Sequence, residues 1–339
     1  MINEVREVIS VRVTVVRPGD LGPDEASLWA RFQKSLPELQ NPFFSLTFAQ
    51  VVDRHRPNAR VAVVEDDGRI QGFFAFEMGP GRMGVPIGEP MNNLQGFVSE
   101  DAAFDAKQVI RKSGLRGWRY SAAPAAQRAL VPHHYDGTLR EALLIDLSGG
   151  YESYFASRSK KFTSDFGKQW RSMERRVGPA SLQWGAIAPE HIRQLVEWKS
   201  AKYGGTRELF AESAARGILE ELAVSSSEDC GGVVTVLRAG DQVLAVNSVL
   251  TCPGVVCGWF MGHDPAMKAF SPGKLILLET AKEAARRDFT RFELGAGQDG
   301  YKGRLSNGSY PVAGGAVWVI PGERAARRLY RRLYLERSA

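Results

Sequence analysis

The stretch GHDPAMKAFSPGKLILLETAKEAARRDFTRFELGAGQDGYKGRLSN, Gly262 to Asn307, decides the reading of this chain. It opens on a strand end, closes a loop on Ser271-Pro272-Gly273, and continues as an amphipathic helix. A short strand, Thr290–Leu294, then leads to a glycine-rich turn ending in Tyr301-Lys302. Proline just inside a helix start, with glycine beside it, leaves backbone N–H groups at the positive end of the helix dipole, an arrangement that suits a phosphate. The same residues also serve a plain helix start and a plain turn, so the functional reading needs support from the rest of the chain.

At 339 residues, with 44% hydrophobic and 10% aromatic side chains, the chain is long enough for two ordinary domains, each with a core of its own. A formal net charge of +6 and a pI near 9.2 suit an anionic partner: a phosphate-bearing cofactor, a nucleic acid or a membrane surface. Three cysteines, Cys230, Cys252 and Cys257, form no CxxC pair and give neither a disulfide framework nor a zinc site. His133-His134 lacks an acidic or cysteine partner at ligand spacing, so no metal is expected. Glu4 and Glu7 interrupt the place of a signal core, and no apolar run is long enough to cross a bilayer. The expectation is a soluble, cytoplasmic protein.

Outward from the deciding stretch, β-branched alternation at Val11–Val16 predicts a strand, and helical spacing of Leu28, Trp29 and Phe32 predicts a helix over Asp24–Gln33. Ser45 is a cap for a second helix through Val52. Two strands follow around Asp67-Gly68, then a Gly/Pro-rich run from Gly79 to Gly96, a helix near Asp101–Lys112, and strands at Gly117–Tyr120 and Ala142–Leu147. Ser148-Gly149-Gly150 marks a boundary, which divides the chain into residues 1–148 and 149–339. Beyond it come a basic helix, a strand at Ser181–Gly185, helices at Pro189–Lys202 and Glu212–Leu222, a hairpin around Ala239-Gly240 and a strand at Val255–Met261.

This order contains an internal repeat. Val61–Val64 falls on Val233–Val236, Gly68 on Gly240, and, after one residue of slippage, Gly117–Tyr120 on Thr290–Glu293. Nothing in the first unit corresponds to SPGK or to GAGQDGYK, so only the second unit carries a candidate site.

With NPFFSLTFAQ near the start and the basic helix before Trp170, this stretch resembles the CelD-type acetyltransferases, a GNAT-like family associated with bacterial cellulose and exopolysaccharide synthesis. More distantly it resembles the Fem-type aminoacyl transferases, which carry tandem GNAT folds. The most specific element is Glu293, Gly295, Gly297, Tyr301 and Lys302; where the family places an acid shortly after the second glycine, this chain has Gln298-Asp299. The resemblance implies an α/β protein of two tandem GNAT-like units, mixed sheets flanked by helices. The first unit would lack an active site of its own, and the second would use acetyl-CoA or another acyl-CoA as co-substrate.

In that frame Val255–Met261 and Arg291–Leu294 are the strands that part around the thioester, and Gly273–Arg286 is the helix under the cofactor's phosphates. Ser271 is expected to cap that helix or bind phosphate, Gly273 to allow close approach, and Lys274 to supply charge, with Gly295 and Gly297 in the cofactor turn. Transfer needs a base, oxyanion stabilisation and an acid for the leaving sulfur. Glu293, at the end of a buried strand, is the candidate base, with a salt bridge to Arg291 as its other role; burial should raise its pKa. Tyr301 and Lys302 are candidates for the acid and for oxyanion or phosphate binding. His263-Asp264 reads as a turn. Trp198-Lys199 with Lys202-Tyr203 marks a helix that can wall an acceptor pocket.

The acceptor expected is a small molecule or a sugar. Two rival readings stand beside this one. A Fem-like enzyme would take its group from aminoacyl-tRNA, drawing on the bases Arg158, Lys160, Lys161, Lys168, Arg171, Arg175 and Arg176, although the interleaved Phe155, Phe162, Phe166 and Trp170 equally describe the buried face of an ordinary helix. A non-catalytic scaffold of a polysaccharide system would use the glycine turn structurally. From Pro321 onward six arginines face two glutamates, which suits either weak contact with an anionic membrane surface or a terminal helix packed on the second unit.

Overall fold

A computed structural model of the chain describes residues 11–100, 105–129, 139–297 and 300–319. In order, the elements are β1 (Arg12–Val16), α1 (Pro23–Ser35), α2 (Leu46–His55), β2 (Ala59–Asp66), β3 (Arg69–Met78), β4 (Met83–Pro86), β5 (Phe97–Ser99), α3 (Ala106–Lys112), β6 (Gly117–Pro124) and β7 (Leu139–Asp146). There follow α4 (Gly150–Ala156), α5 (Lys160–Val177), β8 (Ala180–Trp184), α6 (Pro189–Lys202), α7 (Gly204–Ala211), α8 (Ser213–Ala223), β9 (Gly231–Ala239), β10 (Gln242–Cys252), β11 (Val255–His263), α9 (Pro272–Ala285), β12 (Arg291–Ala296), α10 (Lys302–Leu305) and β13 (Gly308–Trp318). The local causes are those read from the sequence. Asp67 and Gly68 both take positive φ, 44° and 71°, the twist that a two-residue hairpin requires. Ser45 Oγ accepts the Phe48 N–H at 3.0 Å at the start of α2.

Among the described residues two compact units emerge, and they are not the contiguous segments 1–148 and 149–339. The first gathers the residues up to Leu39, Val52–Arg140 and those from Pro311; the second gathers Gln40–Val51 and Glu141–Tyr310. Backbone pairing is the physical reason. The first unit's sheet runs β1-β2-β3-β4-β6-β13, with β5 on β3, and the second runs β8-β9-β10-β11-β12-β7. Each has one parallel pair, β4 with β6 and β11 with β12, and each ends on an antiparallel strand supplied from the other half of the sequence. The repeat is therefore real at the level of topology, with the last strands exchanged.

The first unit closes on an aromatic core in which Phe74 stacks on Phe97 and meets the edge of Trp118. In the second, Leu275, Ile276, Leu278 and Ala281 of α9 pack against Leu237, Val249, Val256 and Phe292 of the sheet. Phe162, Phe166 and Trp170 of α5 pack against this core, so the aromatic stripe of the basic helix is a packing face. Lys160, Lys161, Lys168, Arg171, Arg175 and Arg176 remain exposed. No helix among the described residues is long and apolar enough to cross a membrane. The arginine-rich segment from Pro321, the His133-His134 pair and Gln298-Asp299 lie outside the described residues.

Candidate active site

In the second unit β11 and β12 pair through three rungs only: Val255 with Arg291, Val256 with Phe292, and Cys257 with Glu293. β11 then continues to His263 and β12 to Ala296 without a further rung. Each strand carries a bulge immediately past the last rung. On β11, Gly258 and Phe260 face consecutive residues of β10, which makes Trp259 the extra residue; on β12, Glu293 and Gly295 face consecutive residues of β7, which makes Leu294 the extra one. A bulge bends its strand and increases its twist. Two of them at the same level part the strands and open a wedge.

A cleft of about 420 Å³ lies beside the far end of β11. Met261, Gly262 and His263 line it from the strand, and Ser271 to Lys274 from the start of α9. A side chain at Gly262 would meet Leu195 O at 2.9 Å and Trp198 Cβ at 3.3 Å, so this glycine lets α6 lie close on β11 and bring Trp198 and Lys199 to the opening.

Ser271 does not cap α9. Its backbone is left-handed, with φ 55° and ψ 47°, and its hydroxyl accepts a hydrogen bond from Gln169 Nε2 of α5 at 3.2 Å. Its carbonyl takes the N–H groups of Lys274 and Leu275, and Pro272 has none, which leaves the Gly273 N–H as the donor at the positive end of the helix. Lys274 Nζ stands 4.4 Å from the centre of the Phe162 ring. Burial lowers the Lys274 pKa, the Asp165 carboxylate opposes that shift, and Arg304 adds to it. Five cationic side chains, Lys199, Lys202, Lys268, Lys274 and Arg304, line the cleft against the single carboxylate of Asp165. Those side chains fit phosphate groups.

Glu293 does not line this cleft. Phe292 and Leu294 face the core under α9, and Glu293 faces the opposite side of β12, 4% exposed. Tyr310 Oη donates to its Oε2 at 3.1 Å, and Arg291 Nε lies 3.0 Å from its Oε1. That ion contact is poorly aligned, since neither atom makes a hydrogen bond of good geometry. Arg291 also donates to Gln40 O at 2.8 Å, and Asn41 Nδ2 donates to Cys257 Sγ at 3.2 Å on the facing rung. Burial pushes the Glu293 carboxyl up to about 7, with Arg291 and the Tyr310 hydrogen bond only partly opposing. The contact with Arg291 is the salt bridge that the sequence offers as this residue's other role, and the upward shift is the one expected of a carboxyl at the end of a buried strand.

Gly295 and Gly297 have φ of 80° and 113° and are absent from the cleft lining. Their visible role is to bend the end of β12, where Gly297 N–H donates to Glu141 O at 3.3 Å. Gly295→Ala should cost about 1–2 kcal/mol from the left-handed backbone alone, and thermal unfolding of the variant measures it. Tyr301, 44% exposed, lines the cleft, whereas Lys302 opens α10 beside it and its charge reaches Lys199. Sequence reasoning missed Gln169, Lys268 and Arg304, which come from three separate elements and have no linear signature. Among the described residues no group of three His, Cys, Asp or Glu side chains is placed to hold a metal ion.

Residues 160–303 match the model of the acetyltransferase (GNAT) domain, a span from α5 into α10 that contains the strand wedge, Glu293 and every cleft residue except Arg304. The chain thus carries a GNAT-type acyltransferase domain. No curated protein matches it. Among solved structures it is similar to FemX, with a TM-score of 0.58 at 11% identity, covering 94% of this chain and 99% of that one. It is also similar to the C-terminal domain (DUF2156) of a lysylphosphatidylglycerol synthetase, so described provisionally, from Agrobacterium fabrum, at 0.54 and 10%, covering 91% and 96%. A conserved protein of unknown function from Bacteroides thetaiotaomicron gives 0.55 and 13%, covering 91% and 99%. At these identities the likeness is one of fold.

Proposed function

We propose that the GNAT-type domain of this chain moves an acyl group, acetyl in the first instance, from acyl-CoA to the amine or hydroxyl of a small-molecule or sugar-type acceptor, with exopolysaccharide synthesis as its setting. The observation that carries the reading is the parting of β11 and β12 at Cys257 and Glu293 beside a cleft whose cations outnumber its carboxylate. Acyl-CoA supplies the activated acyl group. Gly273 N–H, Lys274, Lys268 and Arg304 hold its phosphates, and Gln169 fixes Ser271 at the turn. Glu293, at the apex of the wedge, takes the acceptor's proton. Tyr301 and Lys302, at the cleft mouth, are the acid and the cation for the opposite end of the transfer.

Isothermal titration with acetyl-CoA and longer acyl-CoAs tests this, and absence of binding by folded protein would sink it. Lys274→Gln removes one charge-assisted contact and should weaken acyl-CoA binding by roughly tenfold or more. The exposed bases of α5 support a second reading, transfer from aminoacyl-tRNA. Salt-sensitive tRNA binding that is lost when Lys160, Lys161, Lys168 and Arg171 become glutamine would favour it, and indifference to tRNA would remove it.

A further inference from the structure

The cations of the cleft fall into two groups. Lys268, Lys274 and Arg304 belong with the start of α9, where Asp165 partly balances Lys274. The second group stands on α6. Lys199 Nζ lies 5.4 Å from the Tyr203 ring centre and 5.8 Å from that of Phe260, and Lys202 Nζ lies 5.2 Å from Tyr203. Neither lysine forms an ion pair among the described residues, although lysines and arginines elsewhere in the unit do, as at Arg287–Glu283. Lys199 and Lys202, like charges with no carboxylate paired to them among the described residues and Lys199 half-buried, are held against their own repulsion. Consistent with this, burial and the charges of Lys302 and Lys202 lower the Lys199 pKa. Beside them Tyr203 and Tyr301, 49% and 44% exposed, stand among the few large apolar side chains left open to solvent.

We propose that this α6 wall, Lys199 and Lys202 with Lys302 beside them and the open rings of Tyr203 and Tyr301, binds a phosphate group carried by the acceptor. The inference rests on the acyl-CoA reading above. The wall belongs to the acceptor because the α9 side already offers a helix start and three cations to the cofactor. Phosphate rather than carboxylate is the matching anion, because Lys199 and Lys202 together carry two positive charges, which a dianionic phosphate balances and a monoanionic carboxylate does not, and an ammonium binds phosphate as a point charge. The rings give a sugar or other flat body next to the phosphate a surface to lie on.

The test uses the full chain saturated with CoA and titrated with inorganic pyrophosphate. Pyrophosphate should bind while CoA stays bound. Lys199→Gln with Lys202→Gln should weaken pyrophosphate by roughly tenfold or more and leave CoA affinity unchanged. Lys202→Gln alone, at an exposed position that cannot disturb folding, should show part of the same loss. Competition between pyrophosphate and CoA, or a loss of CoA affinity in the double variant, would overturn the proposal and assign these lysines to the cofactor. A wild-type protein that binds no CoA in the separate titration would instead overturn the acyl-CoA premise, and the acceptor assignment would fall with it.

Discussion

Glu293→Gln should lower kcat/KM for acyl transfer by roughly 10²–10⁴-fold, the range that a positioned general base contributes. The pH dependence separates this role from a purely structural one. With its carboxyl near 7, the wild-type enzyme should gain rate as pH rises through about 7 and level off above it, and the glutamine variant should lack that limb. Stability runs the opposite way. The group is protonated in the folded protein and ionised in the unfolded chain between its ordinary value of 4.5 and about 7. Its contribution is therefore fully present below pH 4.5 and lost as pH rises through about 7. Urea midpoints across that window should slope downward in the wild type and less so in the variant. A variant that loses rate but keeps the pH limb would leave Glu293 as the partner of Arg291 and nothing more.

The largest effect on folding is expected at Gly232. A methyl group there would run into Leu222 O and sit 2.7 Å from Ala223 C, both backbone atoms of α8, which lies against β9 with Ile218, Leu219 and Leu222 buried. Backbone cannot yield as a side-chain tip can, so Gly232→Ala must lift the last turn of α8 from the sheet. The cost should be roughly 3 kcal/mol, or a fall of roughly 6–12 °C in Tm for a unit of this size. Gly205→Ala, whose added methyl meets nothing within 4 Å, is the control and should leave Tm close to the wild-type value. Equal behaviour of the two variants would contradict the close approach of α8.

Much of this architecture is written locally in the chain. Pro189 at a helix start and apolar spacing after it define α6 over the same span that the sequence predicts, Pro189–Lys202. Both hairpins, around Asp67-Gly68 and close to Ala239-Gly240, follow from turn residues that accept positive φ. What the sequence conceals is pairing at a distance. β13 contains Gly308, Pro311, Gly314 and Gly315, residues that weaken a strand, and the sequence reading assigns it no element; its partner β6, far back in the chain, makes it a strand. The site divides in the same way. Ser271–Lys274 is visible as a helix start, but the left-handed Ser271 and its bond to Gln169 depend on how α5 crosses α9's first turn. The raised pKa of Glu293 follows from a carboxylate in a buried strand, while the Tyr310 and Asn41 contacts around it required the fold.

The exchanged end strands have a consequence for how this protein is made. β6 pairs with β4 along one side, and its other neighbour, β13, leaves the ribosome only after roughly 190 further residues, or about 10–40 s at ordinary synthesis rates. Through that interval the first half of the nascent chain exposes an unpaired strand edge, the feature that invites wrong partners and chaperone attention. The second unit takes β7 from chain already synthesised and is complete when Tyr310 emerges. The half translated first is the half that finishes last.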